Sequence, residues 1–349
     1  MVAVLPRYPA SFVVLVVLIL LASLAAQGQT QNSAAIALPP LEPATGRPSA
    51  PSTNTTPPPA DAAEAPPEQD AGMFVFKKEV EEVILHATIV DEQRHLVPNL
   101  DRSTLSVFED GVKQAITSFH REDVPVAMGM VIDNSGSMRE KRDKVNEAVL
   151  NLVRQSNPQD EIFVVNFNQD CYLDQDFTSD ISLVRAALQK VSMGGSTALY
   201  DAIVASSIHL RNNTHLDNKV LLVITDGQDN ASRESLQAAM RRLQQQTGPT
   251  LYAIGLLGDG LERPDREILN SLAESTGGAA FFPQSLDELN SISLTIGHDI
   301  RSRYTIGYKS TNTKQKSGYR AIEVEAQARG YRRLTVRTRS GYYGAEAVQ

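Results

Sequence analysis

From residue 127 onward the chain alternates between short runs that are apolar throughout and longer amphipathic segments. "AMGMVI" (127–132), "EIFVVNF" (161–167), "KVLLVITD" (219–226), "TLYAIGL" (250–256) and "AAFFP" (279–283) read as strands. Between and after them, the spacing predicts helices over about 141–155, 180–191, 197–212, 232–246, 265–278 and 286–301. A strand that is apolar on both faces must be covered on both, and parallel neighbours need a helix-length crossover to connect them. The pattern therefore predicts a doubly wound, mostly parallel α/β domain over 124–301.

The flanks have a different period. "VILHATIVD" (83–91) and "TLSVFEDGVKQAITSFH" (104–120) alternate apolar and polar residues, and Asp110-Gly111 sits where a type I′ hairpin turn is expected. Past 301, "YTIGYKS", "YRAIEVEAQA" and "RRLTVRTRSGYY" alternate in the same way. The segments 74–123 and 302–344 are thus expected to pair into one small β-sandwich beside the α/β domain. Residues 301–339 hold 11 Lys plus Arg against 2 Glu. Because these alternate with apolar residues, they read as the solvated face of an edge strand, where such charges also block edge-to-edge aggregation. With a formal net charge of −8 for the whole chain, a nucleic-acid partner is not expected.

Upstream, "RYPASFVVLVVLILLASLAAQGQ" has one positive charge, an apolar run and then small residues. This is the layout of a secretory signal peptide over 1–28, and it implies an exported protein, periplasmic or secreted. The run falls below the ~20 residues of a spanning helix, so no membrane span is expected in the mature form, an uncleaved signal anchor being the alternative. Residues 29–72 are rich in Pro, Ala, Ser and Thr without an aromatic residue. They cannot bury enough surface to offset chain entropy and read as an extended tether. The only cysteine, Cys171, allows no intrachain disulfide and is expected to be a small buried hydrophobe.

Function is sought at the carboxyl ends of the strands, where ligands bind in open parallel sheets. "VIDNSGSM" (131–138) ends the first apolar strand with Asp133, Ser135 and Ser137 on alternating positions. Asp226 ends "KVLLVITD", and between the two lies "MGGSTALYDAI", with Thr197 just ahead of a helix and Gly194-Gly195 permitting a tight turn. Oxygen donors without His or Cys suit a hard divalent ion, Mg²⁺ first, with Mn²⁺ or Ca²⁺ as alternatives. Three neutral hydroxyls and two carboxylates, one or both acting through water, leave such an ion incompletely neutralised, with an open position for an Asp or Glu side chain from a partner protein. The plainer reading has Ser135 and Ser137 capping the next helix and Asp226 opening a turn.

"DNSGSM", the threonine of "GGSTALYDAI" and "ITDGQDN" resemble the metal-ion-dependent adhesion site of von Willebrand factor type A domains. The flanks "VFEDGVKQAI" and "RTRSGYYG" resemble those of exported bacterial proteins carrying such a domain. The resemblance implies Asp133, Ser135, Ser137, Thr197 and Asp226 as metal ligands, all five matching in type and order. It gives Asp229 no definite role and leaves Asn134 and Met138 as variable positions. No phosphate-binding glycine loop occurs, and none of the six histidines falls in a strand-end loop beside Asp133, so no catalytic or nucleotide-binding residue is assigned. The expected function is a non-enzymatic adhesion or protein-binding module. The alternatives are a metal-stabilised structural component of an envelope complex and a metal-dependent hydrolase.

Overall fold

The computed structural model describes residues 82–121, 124–190, 193–256, 263–312 and 318–344, all within the unit Val75–Gln349. The signal peptide and tether expected over 1–28 and 29–72, and the loop at 257–262, lie outside the described residues.

Strands β1 (Glu82–Val90), β2 (Leu105–Glu109), β3 (Val112–Gln114) and β4 (Ile116–His120) come first. The α/β run follows as β5 (Ala127–Asp133), α1 (Arg142–Arg154), β6 (Glu161–Phe167), β7 (Cys171–Thr178), α2 (Ile181–Gln189), α3 (Leu199–Asn213), β8 (Lys219–Thr225), α4 (Leu236–Leu243), β9 (Thr250–Gly255), α5 (Arg263–Ser275), β10 (Ala280–Phe281) and α6 (Leu289–Arg301). Strands β11 (Tyr304–Lys309), β12 (Tyr319–Ala326), β13 (Thr335–Arg337) and β14 (Gly341–Tyr343) end it.

The central sheet has the order β10-β9-β8-β5-β6-β7. Its strands are parallel except β7, which returns antiparallel beside β6. All seven residues of β5 are buried, as a strand covered on both faces requires. Alternate residues feed two cores. Met128, Met130 and Ile132 pack with Val145, Val149 and Leu152 of α1 and with Ile296 of α6. Val131, Phe163 and Val223 pack with Ala202, Ile203 and Leu272 on the opposite face. Val145, Ala148, Val149 and Leu152 recur at the spacing of a single helical face. The chain leaves β5 toward β6 on one side and places β8 on the other, so the crevice between the ends of β5 and β8 is the switch point of the sheet.

Two antiparallel sheets, β13-β1-β11-β4 and β14-β12-β2-β3, share a third core built on Leu85, Val107, Tyr304, Ile306, Tyr308 and Tyr342. Each mixes strands from both flanks: β1 pairs with β11 and β13, and β2 with β12. Asp110 and Gly111 have φ of 49° and 74°, as a type I′ turn demands.

Three expectations need correction. The basic residues of the last segment are not simply a solvated face. Arg303, Arg320 and Arg339 are buried, because carbonyls and carboxylates distant in sequence receive them. Arg339 donates to the carbonyls of Gln245 (3.1 Å), Gln246 (2.7 Å) and Gly248 (2.7 Å), and Arg320 to Glu109 (3.2 Å). Cys171 is exposed at the start of the edge strand β7. The protein packed around its thiol and the carboxylates of Asp201 and Asp170 push its pKa up to about 12, so it stays protonated. Finally, α4 is shorter than expected. Ser235 caps it by accepting from the amide of Ala238 at 3.1 Å, which leaves 232–234 outside the helix. Among the described residues, no helix is long and apolar enough to cross a membrane.

Candidate metal centre

Asp133 is the last residue of β5 and is fully buried. Its Oδ1 accepts from the amide of Ser135 at 2.7 Å and its Oδ2 from the hydroxyl of Thr225 at 2.6 Å. The chain then makes a short 3-10 turn, Gly136–Met138, for which Ser135 stands in the capping position without a side-chain capping bond. The Ser135 and Ser137 hydroxyl oxygens instead lie 3.2 Å apart, and Ser137 donates to Asp226 Oδ1 at 2.7 Å. The ammonium of Lys141 pairs with the other oxygen of Asp226. The capping alternative therefore does not describe these serines, and the Asp226 carboxylate reaches across to the β5 loop rather than serving its own turn.

Thr197 belongs to the same place. Its amide donates to Asn230 Oδ1 and its carbonyl accepts from the amide of Asn230, both at 2.9 Å. This ties the loop ahead of α3 to the loop after β8, and a Cβ built on Gly227 would lie 3.5 Å from the Thr197 hydroxyl. That hydroxyl has no hydrogen-bond partner among the described residues. Gly194 and Gly195, with φ of 146° and 83°, make the approach, and the Gly194 amide donates to the carbonyl of Asn134 at 3.0 Å.

Residues 128–295 match the family model of the von Willebrand factor type A domain. The chain carries a von Willebrand factor type A (VWA) domain. Solved structures similar to it include proximal thread matrix protein 1 from the mussel byssus (19% identity, TM-score 0.46, covering 55% of this chain and 51% of that one). BatB from Bacteroides thetaiotaomicron (18%, 0.41, 51% and 100%) and a von Willebrand factor type A protein from Catenulispora acidiphila (12%, 0.44, 77% and 75%) are also similar. The chain spans about half the length of the mussel protein. A comparison with curated proteins finds no match.

Several residues that hold this candidate site together carry no signal in the sequence. Arg142 is buried beneath Asp133. It donates to the Asp133 main-chain carbonyl at 3.2 Å and to Asn166, and Asn166 passes the contact to Asp174 at 2.6 Å. Burial draws the Arg142 guanidinium down to about 10, with Asp133 and Asp174 opposing, so it remains charged. Asp229, without an assigned role from sequence, accepts from the amide of Tyr200 at 3.3 Å and from Ser232, and so fixes the start of α3. Burial pushes the Asp133 carboxyl above the usual carboxylate range; the Thr225 and Ser135 hydrogen bonds oppose the shift and the Asp226 charge adds to it.

The donor set suits a hard divalent cation. Among the described residues, no group of three or more His, Cys, Asp or Glu could hold a metal, so any ion here must use hydroxyls. Three hydroxyls and two carboxylates, brought from three loops, supply oxygen alone. The unpartnered Thr197 hydroxyl and the buried Asp133 carboxylate are groups that such a cation would satisfy.

Proposed function

We propose that this VWA domain is an exported, non-enzymatic protein-binding module that holds a divalent ion, Mg²⁺ in the first instance, and captures an Asp or Glu side chain of a partner through it. Asp133, Ser135, Ser137, Thr197 and Asp226 are the proposed ligands. The observation that carries this reading is the Ser137 hydroxyl on Asp226 with the Ser135 oxygen 3.2 Å away, since it sets oxygens from separate strand ends against one another. When bound, the ion would supply an electrophilic position for a carboxylate. Around that position the chain's own groups orient and insulate. Thr225 and the Ser135 amide fix the rotamer of Asp133, Arg142 clamps the main chain beneath it, and Asn230 and Asp229 hold the Thr197 loop. Among the described residues no histidine hydrogen-bonds to a proposed ligand, which favours binding over turnover.

Isothermal titration of the full chain with MgCl₂ tests the metal. Binding that Asp133→Ala abolishes is expected, and equal affinity in both proteins would sink the site. A second titration, of acetate or a Glu-containing peptide into the protein with and without Mg²⁺, tests the carboxylate. Heat should appear only when Mg²⁺ is present.

A further inference from the structure

Lys141 pairs with the carboxylate of a proposed ligand, Asp226, without belonging to the ligand set. Its side chain is 16% exposed and the Asp226 side chain it pairs with is 0% exposed, so the ammonium closes the solvent side of a buried carboxylate. Asp226 is its only partner among the described residues. It stands at the capping position of α1 but forms no side-chain capping bond. Arg142, the next residue, differs on each count: it is buried and held by the Asp133 carbonyl, Asn166 and the Leu188 carbonyl. The site thus has two cations beside it, one locked onto the Asp133 main chain and one on a flexible four-carbon stem at the rim, paired with the Asp226 carboxylate.

We propose that Lys141 is a tethered competitor for the divalent cation: its ammonium neutralises Asp226, and an incoming ion has to displace it. The inference rests on the proposed function and deepens it, because it says what sets the affinity of that site. A divalent ion entering beside Asp226 meets both the ammonium's hold on an oxygen it needs and the repulsion of a positive charge. The site is therefore tuned to fill only where free divalent ion is plentiful. Displacement requires only rotation about the lysine stem, since α1 is anchored through Val145, Ala148 and Val149 rather than through Lys141.

The test is Mg²⁺ titration calorimetry on the full chain as wild type, Lys141→Met, Lys141→Gln and Asp133→Ala, with melting curves of each in EDTA and in MgCl₂. Both neutral variants should bind Mg²⁺ roughly tenfold more tightly or better. They should also melt lower than wild type in EDTA and gain more from Mg²⁺, because the ammonium no longer offsets the two carboxylates. Glutamine keeps a donor for Asp226, so it tests charge separately from contact and remains informative if the methionine variant folds poorly. Wild-type affinity in both neutral variants, with Asp133→Ala still abolishing binding, would overturn the competitor role and leave the metal site standing. Equal binding in wild type and Asp133→Ala would remove the site and the competitor together.

Discussion

The two ends of the central sheet both bury charge, and they do so to opposite purposes. At the amino ends of the strands, beside the antiparallel sheets, Asp299 accepts from Thr88 at 2.9 Å, from Tyr252 at 2.6 Å and from Arg337. Arg303 donates to Thr250 at 2.9 Å and Asn218 at 3.2 Å, and three carbonyls receive Arg339. At the carboxyl ends, Asp133 and Asp226 face each other across hydroxyls, with one threonine oxygen unpartnered and a lysine lending a movable charge. At the amino ends each buried charge has a partner, although Arg337 Nε itself is left without one, and such a network fixes a structure; the carboxyl-end site, with its free threonine oxygen, is left for a ligand.

That contrast breaks most visibly at Asp299. Asp299→Ala leaves the buried Tyr252 and Thr88 hydroxyls without their acceptor and the partly exposed Arg337 without its carboxylate, and should cost about 2–3 kcal/mol. Denaturant melts should give the same loss in Mg²⁺ and in EDTA, and a metal-dependent loss would mean that the two ends are coupled. The next effect is acid sensitivity. Burial first, then the charges of Arg303 and Arg339, push the His86 imidazole down to about 3. Below 6.5 the unfolded chain takes up a proton at this histidine that the folded protein refuses, so stability falls as the pH drops from 6.5 toward 3. The contribution is of the order of 2–4 kcal/mol by pH 3. His86→Phe should flatten that limb of a stability–pH curve, and an unchanged slope would acquit the residue. The smallest effect belongs to the carboxyl end. Asp133→Asn removes a carboxylate that burial disfavours, so in EDTA it should melt within about 1 kcal/mol of wild type or above it. Any stabilisation by Mg²⁺ should be gone.

The same contrast separates what the sequence discloses from what it conceals. Asp133 is visible because it ends an apolar run, and Asp226 and Thr197 because strand, glycine pair and helix follow in recognisable order. The mostly parallel sheet follows from the same runs. Lys141 sits in "REKRDK", a charge run that looks like any wet helix start, and nothing local marks which cation folds back onto a carboxylate 85 residues away. Thr225 is concealed as one more β-branched residue in a buried strand. Arg303, Arg320 and Arg339 mislead because alternation describes a strand's two faces without revealing that one of them docks on another layer. Short-range pattern reports elements, and long-range partners decide the fate of each polar side chain.

The pairing of β1 has a consequence in time. Its partners are β11 and β13, with Ile84 opposite Gly307 and Ile89 opposite Val336, and β4 also pairs with β11 alone. A ribosome adding about 5–20 residues per second needs roughly 10–40 s to travel from the end of β1 to the start of β11. Through that interval β1 and β4, each with one apolar face, wait with open edges while the α/β layer can already assemble. The nascent chain is thus open to mispairing until β11 and β13 emerge, and that hazard is closed by residues 304–337.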